Sequence, residues 1–202
     1  MPSTRTRILT AALACFSERG VSATTIEQIR RAAGVSVGSL YHHFVDRHEL
    51  AAAVHRWLLE DYQQGFLDVL EAEAGAAQGI AAAVGYHLTW CAERPDAARY
   101  LLTEPVPTGA RPGGAELAAA NRAFLRRVLA WLRPHVGYGV VHPLDVELAY
   151  ALWLGPSQEY CRLWLTGRAP APGPVQAEAL ADAAVRCLVV GSADEVRTAP
   201  SS

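Results

Sequence analysis

The chain has 202 residues, of which 51% are hydrophobic, so it is long enough and apolar enough to bury a sizeable core. This composition excludes a chain that is disordered throughout, and the formal net charge of -2 excludes a uniformly basic nucleic-acid coat protein. The charge is unevenly placed, because residues 1–50 carry a net +2 and the remainder carries -4. Any polyanion partner is therefore expected at the amino-terminal part.

The first fifty residues predict three short helices joined by tight turns. The first covers residues 4–19 and ends at Gly20, and the second covers residues 24–33 and ends at Gly34. The third covers residues 36–42, with a serine at its amino-terminal cap. Two short helices joined by a glycine turn indicate a helix-turn-helix.

Helical periodicity continues through the rest of the chain, and no alternating strand pattern competes with it. Asp46 and Glu49 form a predicted capping box at the start of a long helix. Pro95 is placed to open a further helix, and Pro156 is expected to kink or split another. The remaining predicted helices cover residues 80–91, 115–136, 143–166 and 175–190, with loops at 105–114 and 167–174 and a disordered tail at 192–202. We therefore expect an all-α fold of about nine helices.

The third predicted helix has the pattern of a recognition helix, whose outward side chains must fit a major groove about 12 Å wide. Its outward residues are small or polar, while Leu40 and Phe44 are apolar and predicted to hold it to the domain. Thr25 and Arg47 are expected to contact phosphates from neighbouring helix starts. Thr24 is also expected at the DNA interface. The residues predicted to face DNA are Ser36, Val37, Gly38, Ser39, Tyr41 and His42.

Residues 23–50, ATTIEQIRRAAGVSVGSLYHHFVDRHEL, resemble the DNA-binding domain of the TetR family of repressors. The resemblance covers about a quarter of the chain at motif level. Arg30 departs from the family pattern, in which a small residue is usual. The matching residues are Thr24, Thr25, Ile29, Ala33, Gly34, Val35, Ser36, Leu40, Tyr41, Phe44, Asp46 and Arg47.

The resemblance implies a transcription regulator, usually a repressor, made of a DNA-binding domain at residues 1–47 and an effector-binding and dimerisation domain at 48–191. It implies a homodimer that pairs through its last two helices and binds a palindromic operator, and a small-molecule effector that moves the fourth helix. An apolar cavity with a few polar tips would suit a hydrophobic effector. The expected pocket residues, each of which also suits a plain core, are Trp57, Tyr62, Phe66, His87, Trp90, Tyr100, Phe124, Trp131 and Tyr160.

Large apolar groups on the predicted helix 143–166 support the dimer, with burial inside one monomer as the alternative. These groups are Leu148, Leu152, Trp153 and Trp164.

Four scattered cysteines, Cys15, Cys91, Cys161 and Cys187, are expected to be small buried hydrophobes in a reducing cytoplasm. The sequence shows neither a signal peptide nor a membrane-spanning run. We therefore expect a cytoplasmic protein that crosses no membrane.

Other functions remain open at this stage. An enzyme needs a nucleophile with its base, a metal cluster or a phosphate-binding glycine loop, and the sequence shows none, so we expect no catalysis and no cofactor. A helical protein-interaction module without DNA binding is the main alternative. The histidines near the motif, together with Tyr41, are alternatively surface or packing residues. A metal site at His42, His43, His48 and His55 is a weaker alternative, because their spacing matches no usual ligand pattern.

Overall fold

The computed structural model describes residues 2–104 and 114–191, and these residues form ten α-helices. The loop predicted at 105–114 falls almost entirely, and the tail predicted at 192–202 entirely, outside the described residues. Within them, β pairing is limited to one isolated bridge between Val141 and Val189. The helices are α1 (Thr4–Ala23), α2 (Ile26–Ala33), α3 (Val37–His43), α4 (Arg47–Glu71), α5 (Ala76–Glu93), α6 (Pro95–Thr103), α7 (Gly114–Gly137), α8 (Val146–Trp153), α9 (Gly155–Leu165) and α10 (Pro174–Leu188).

The all-α prediction is confirmed, with two differences in the helices. Gly20 does not end α1 but kinks it, since its φ of 76° lies in the left-handed region while helical hydrogen bonding resumes through Ala23. The expected helix 143–166 is two helices, which raises the count to ten. Leu154 ends α8, and Pro156 occupies the first turn of α9, where its missing N–H has no helical partner to lose.

The chain forms two compact units, one made of Met1–Tyr62 with Arg94–Arg122 and the other of Gln63–Glu93 with Ala123–Ser202. The predicted boundary between residues 47 and 48 concerns functional domains and stays a prediction. None of the helices in the described residues combines the length and the apolar character that crossing a membrane requires.

In the first unit, α1 packs against both α2 and α6. Its buried side chains include Ile8, Leu9 and Phe16. Phe16 stacks on Tyr100 of α6 with ring centroids 5.9 Å apart, and the Tyr100 hydroxyl donates to the carbonyl oxygen of Ala51 at 2.9 Å. Burial raises the pKa of Tyr100, so this hydroxyl keeps its proton and remains a donor.

In the second unit, α5 lies against α9 and α10, and α8 packs on both of these helices. Two indole N–H groups tie the surrounding segments together. Trp153 donates to the carbonyl oxygen of Ile80, and Trp131 donates to that of Glu73, each at 3.0 Å. Trp131 can approach α5 closely because Gly79 has no side chain there. A Cβ on Gly79 would lie 2.3 Å from the Trp131 ring.

Candidate nucleic-acid interface

The helix-turn-helix begins at a capping box on α2. The Thr25 side-chain oxygen accepts from the backbone N–H of Gln28 at 3.3 Å, and the Gln28 side chain accepts from the backbone N–H of Thr25 at 2.8 Å. Two backbone donors at the helix start are thereby satisfied by local side chains. Thr25 therefore fixes where α2 starts and remains exposed at that point.

The turn between α2 and α3 is held by two arginines. Gly34 ends α2 with a φ of 63°, a conformation that glycine adopts without strain. The Arg7 guanidinium donates from Nη2 to the carbonyl oxygens of Ala33 at 2.8 Å and Gly34 at 3.0 Å. Arg30 donates from Nη1 to the carbonyl oxygen of Val35 at 2.9 Å. Three successive carbonyls of the turn thus have charged donors.

Charge pairing on α2 keeps its arginines in place. Arg30 binds Glu27 through two nitrogens at 2.7 and 2.8 Å, and Arg31 donates to the same carboxylate at 2.8 Å. These hydrogen bonds lower the pKa of Glu27 to about 2, so the carboxylate stays ionised at neutral pH. Arg30, which departs from the family pattern, therefore supports both α2 and the turn.

α3 separates an inner face from an outer face as the sequence predicts. Leu40 is 1% exposed and Phe44, its C-cap residue, is 2% exposed, whereas Val37 and Tyr41 are 55% and 52% exposed. Ser36 caps the helix by accepting from the backbone N–H of Ser39 at 3.2 Å. Of the other residues predicted to face DNA, Gly38 and His42 are exposed and Ser39 is half-buried.

Gly38 is a glycine that the described fold does not require. Its φ is not positive, and a Cβ built on it meets no heavy atom within 4 Å. A glycine inside a helix costs about 1 kcal/mol relative to alanine. The absence of a side chain therefore leaves the α3 surface open without benefit to the described packing.

The three DNA contacts predicted outside α3, at Thr24, Thr25 and Arg47, differ in their surroundings. Thr24 is fully buried, and its hydroxyl donates to the carbonyl oxygens of Cys15 at 3.1 Å and Gly20 at 2.8 Å. These bonds give Thr24 a structural role, so we leave it out of the proposed contacts. Arg47, at the start of α4, donates from Nη1 to the carbonyl oxygens of Ser22 at 2.7 Å and Thr24 at 3.0 Å. Its charge therefore lies beside the start of α2.

The start of α4 carries the predicted capping pair in a slightly shifted form. Asp46 accepts from the backbone N–H of Glu49 at 2.8 Å, while Glu49 accepts from the backbone N–H of Val45 at 2.6 Å rather than from that of Asp46. This pair fixes the start of α4, where Arg47 lies. The connection from α3 to α4 is thereby held without a long loop.

The expected pocket residues fall into both compact units. In the first unit, Tyr100 is committed to the packing of α1 and α6, and Trp57 and Tyr62 are half-buried. In the second, Phe66 and Phe124 meet edge to face at 5.4 Å and line a cavity of about 70 Å³. The remaining four are His87 and Trp90, which are buried, and Trp131 and Tyr160, which are half-buried. Their role as ligand contacts stays a prediction.

A larger apolar groove of about 370 Å³ lies between α7, α8 and α10 of the second unit. None of the nine expected pocket residues lines it. It shares five lining residues with the smaller cavity, so the two spaces adjoin each other. The shared residues are Leu129, Leu132, Val146, Ala149 and Trp153.

The four residues expected at a dimer surface differ in how far they are exposed to solvent. Trp153 is 4% exposed and bound through its N–H to Ile80, so it belongs to the core of its own chain, and its assignment to the dimer surface is corrected. Leu148 is 44% exposed, and Leu152 and Trp164 are half-buried. Tyr150 on α8 and Val175 on α10 are further exposed apolar residues that the sequence analysis did not select.

The residues able to hold a metal lie elsewhere than the sequence analysis considered. Near the motif, His42 and His48 are exposed, His43 is half-buried and His55 is buried. Within the described residues, a cluster with metal-ligand chemistry is formed instead by His87, Cys91 and Cys161. Sequence reasoning missed it because Cys161 is distant in the chain from the other two.

Comparison with known proteins gives matches in both sequence and structure. Residues 8–54 match the family model described as bacterial regulatory proteins, tetR family. The HTH-type transcriptional repressor Rv1474c of Mycobacterium tuberculosis is 34% identical over 125 residues, which cover 61% of this chain and 65% of that repressor. The chain thus matches somewhat less than two thirds of that relative's length.

Two solved structures share the fold over nearly the whole chain. A TetR family transcription regulator from Marinobacter aquaeolei has a TM-score of 0.79 and 20% identity, covering 92% of this chain and 95% of that one. The regulator FadR from Bacillus subtilis, solved in complex with stearoyl-CoA, has a TM-score of 0.71 and 20% identity, covering 92% and 98%. At such identities the likeness concerns the fold.

Proposed function

Because the chain belongs to the tetR family of bacterial regulatory proteins, we propose that it represses transcription by binding a palindromic operator as a homodimer. The observation that carries the proposal is the outer face of α3. Its exposed residues are small, polar or aromatic, and Leu40 and Phe44 fix the helix from behind. This is the arrangement that a recognition helix needs in order to enter a major groove.

Individual roles follow from the chemistry of the outer face. We assign Val37 to a thymine methyl group, and Tyr41 and His42 to base edges or phosphates. All three side chains are exposed, which supports these assignments. Ser36 and Ser39 add short polar contacts, and Gly38 allows the DNA surface to approach the backbone. Specificity would therefore come mainly from Val37, Tyr41 and His42.

Thr25 and Arg47 are proposed to position the DNA backbone. Thr25 lies at the amino terminus of α2, where backbone N–H groups and the helix dipole favour an anion. Arg47 donates to the carbonyl oxygen of Thr24, the residue before Thr25, so its positive charge lies next to this helix start. A phosphate held there would set the register of α3 in the groove.

Homodimerisation is proposed through the exposed apolar residues of α8 and α10, including Leu148 and Val175. Leu148 and Leu152 are four residues apart on α8, so they share a face of that helix. Val146, Ala149 and Trp153 line the groove from another face. Two-fold symmetry then requires half-sites about one helical turn apart, or a multiple of it.

We place the effector in the second unit, in the groove and the adjoining cavity, and propose a small hydrophobic molecule. The walls are mainly aliphatic and aromatic, and Arg133 and His142 supply polar tips. The volume of about 370 Å³ lies at the small end of ligand pockets. α4 contributes residues to both units, so a ligand that prefers one position of α4 would release the operator. The protein would act in the cytoplasm.

The proposal is tested by titrating the protein against a fluorescent promoter fragment taken from beside its own gene, at several salt concentrations. We expect specific binding whose affinity falls steeply with salt, because phosphate contacts release counterions. Tyr41→Ala should lower affinity about 5- to 150-fold, since one base contact contributes about 1–3 kcal/mol. Tyr138→Ala is the matched control, because Tyr138 is 85% exposed but lies after α7.

Circular dichroism must show that both variants are folded. Equal DNA affinity of the Tyr41→Ala protein and the parent would contradict the assignment of α3 to the DNA interface. A parent protein that shows no preference for the promoter over unrelated DNA would contradict the proposed function and favour a protein-interaction module instead.

A further inference from the structure

A cluster of two thiols and an imidazole lies inside the second unit. His87 and Cys91 are four residues apart on α5, and Cys161 lies on α9, which packs against α5. The Cys91 Sγ is 3.8 Å from His87 Nε2, and one ligand atom from each of the three residues lies within 4.8 Å of the others. The fold therefore brings together residues that are 70 positions apart in the chain.

These separations are close to those of a metal site. Zn–S bonds of about 2.3 Å and Zn–N bonds of about 2.0 Å at tetrahedral angles put ligand atoms roughly 3.5–3.8 Å apart. The Cys91–His87 distance of 3.8 Å is a few tenths of an ångström longer than the value of about 3.5 Å for one sulfur and one nitrogen ligand, and small rotamer changes would bring in Cys161. The three side chains are at most 3% exposed, so a bound cation would be shielded from water.

A hydrogen bond between the two thiols shifts their pKa values in opposite directions. A hydrogen bond from the Cys91 thiol, and further interactions with His87 and Arg162, lower the pKa of Cys161 despite its burial. The same hydrogen bond, together with burial, raises the pKa of Cys91. The two sulfur atoms are therefore close enough to share a hydrogen bond.

The buried hydroxyl of Ser157, on α9 with Cys161, is a second observation. Ser157 lies one helical turn before Cys161 on α9, which places the two residues on the same face of that helix. It is 1% exposed, and its Oγ has no hydrogen-bond partner among the described atoms. A buried polar atom without a partner is costly, so the Ser157 hydroxyl is a candidate to hydrogen-bond a further group on this face of α9.

We propose that His87, Cys91 and Cys161 bind a cation that prefers thiolates, either Zn²⁺ or Cu⁺, and that the cation joins α5 to α9. Two sulfur ligands and one imidazole nitrogen suit both ions and disfavour Mg²⁺ and Ca²⁺, which require oxygen. Zn²⁺ needs a fourth ligand in addition to these three, whereas Cu⁺ accepts the three ligands alone. The proposal does not depend on DNA binding.

The test is a titration of the full-length, reduced protein with Zn²⁺ alone and with Cu⁺ alone, each in competition with a coloured chelator. We expect one equivalent of at least one of the two ions per chain. Cys91→Ala and Cys161→Ala should each weaken binding more than about a hundredfold, since a lost ligand costs at least as much as a lost outer-shell partner. Cys187→Ala and Cys15→Ala are controls, because these cysteines lie on α10 and α1.

X-ray absorption on the metal-loaded parent keeps the test decisive if a variant fails to fold. We expect two sulfur atoms in the first coordination shell, at about 2.3 Å for Zn²⁺. A shell of nitrogen and oxygen alone would overturn the proposal. Failure of the parent to bind either ion, or unchanged binding by folded Cys91→Ala protein, would overturn it equally.

Discussion

Nη2 of Arg7, on the first helix, lies 2.8 Å from the carbonyl oxygen of Ala33, at the end of the second. Because the same nitrogen also donates to the carbonyl oxygen of Gly34, one side chain of α1 fixes the turn that aims α3. The orientation of the recognition helix thus depends on a residue far from it in sequence.

Arg7→Met should loosen this turn. A hydrogen bond from a charged group to a partly buried carbonyl contributes about 1 kcal/mol or somewhat more, so amide exchange in residues 36–44 should accelerate about fivefold. Hydrogen exchange followed by mass spectrometry measures this. Arg31→Met is the control, because the Arg31 side chain is 75% exposed and its ion pair with Glu27 contributes little. Equal exchange in the two variants would show that Arg7 does not hold the turn.

Two glycines of α5 should respond oppositely to alanine. A Cβ on Gly79 would lie 2.3 Å from the Trp131 ring, which its N–H bond to Glu73 holds in place, so Gly79→Ala should destabilise by about 1–3 kcal/mol. Gly85 has no atom within 4 Å of its Cβ position, so Gly85→Ala should stabilise by about 0.5–1 kcal/mol. Urea unfolding measures both, and a stabilised Gly79→Ala protein would contradict the packing.

His55 should make stability fall in mild acid. It is 3% exposed, its Nδ1 has no hydrogen-bond partner among the described atoms, and burial lowers its pKa. In the unfolded chain its pKa is about 6.5, so below that pH the unfolded state binds a proton that the folded state resists. The free energy of unfolding should therefore decrease as the pH falls from about 7 to about 5.

His55→Gln should make this pH dependence shallower, whereas His142→Gln, at an exposed position, should leave it unchanged. Urea unfolding at several pH values provides the comparison. An unchanged slope in His55→Gln would mean that other groups cause the loss of stability in acid.

Replacing Gly38 should raise the stability of the protein but weaken its binding to DNA. Gly38→Leu should raise the free energy of unfolding by about 0.5–1 kcal/mol, since leucine is the better helix former and the site is open. The same variant should bind promoter DNA more weakly than the parent, because its side chain occupies the space into which the DNA backbone or bases fit. Thermal melting and fluorescence anisotropy measure the two effects. Full DNA affinity in Gly38→Leu would place the interface elsewhere.

The helices could be predicted largely from local sequence signals. Ser36 and Asp46 are caps in the structure as the sequence indicates, and Gly34 ends α2 with a positive φ. These signals act over three or four residues, so they are visible in the sequence. The sequence predicted a kink or a split near Pro156 but could not distinguish the two. Proline at the second position of a new helix and proline in a kink look alike in sequence.

Interactions between distant segments were not predictable in the same way. The burial of Thr24 depends on carbonyls that the kink at Gly20 presents to it, and the Arg7 contact depends on how α1 packs on α2. The cluster of His87, Cys91 and Cys161 depends on the packing of α9 against α5. In each case the sequence gives the residue types, but the partners are distant along the chain and no local pattern predicts the pairing.

The most direct test of the central claim is a hydroxyl-radical footprint of the parent protein on its own promoter. If two α3 helices of a homodimer enter major grooves on one face of the DNA, protection should appear as two patches. Their centres should lie about 10 base pairs apart, or a multiple of that distance. A single patch, or cleavage identical to that of free DNA, would contradict the account.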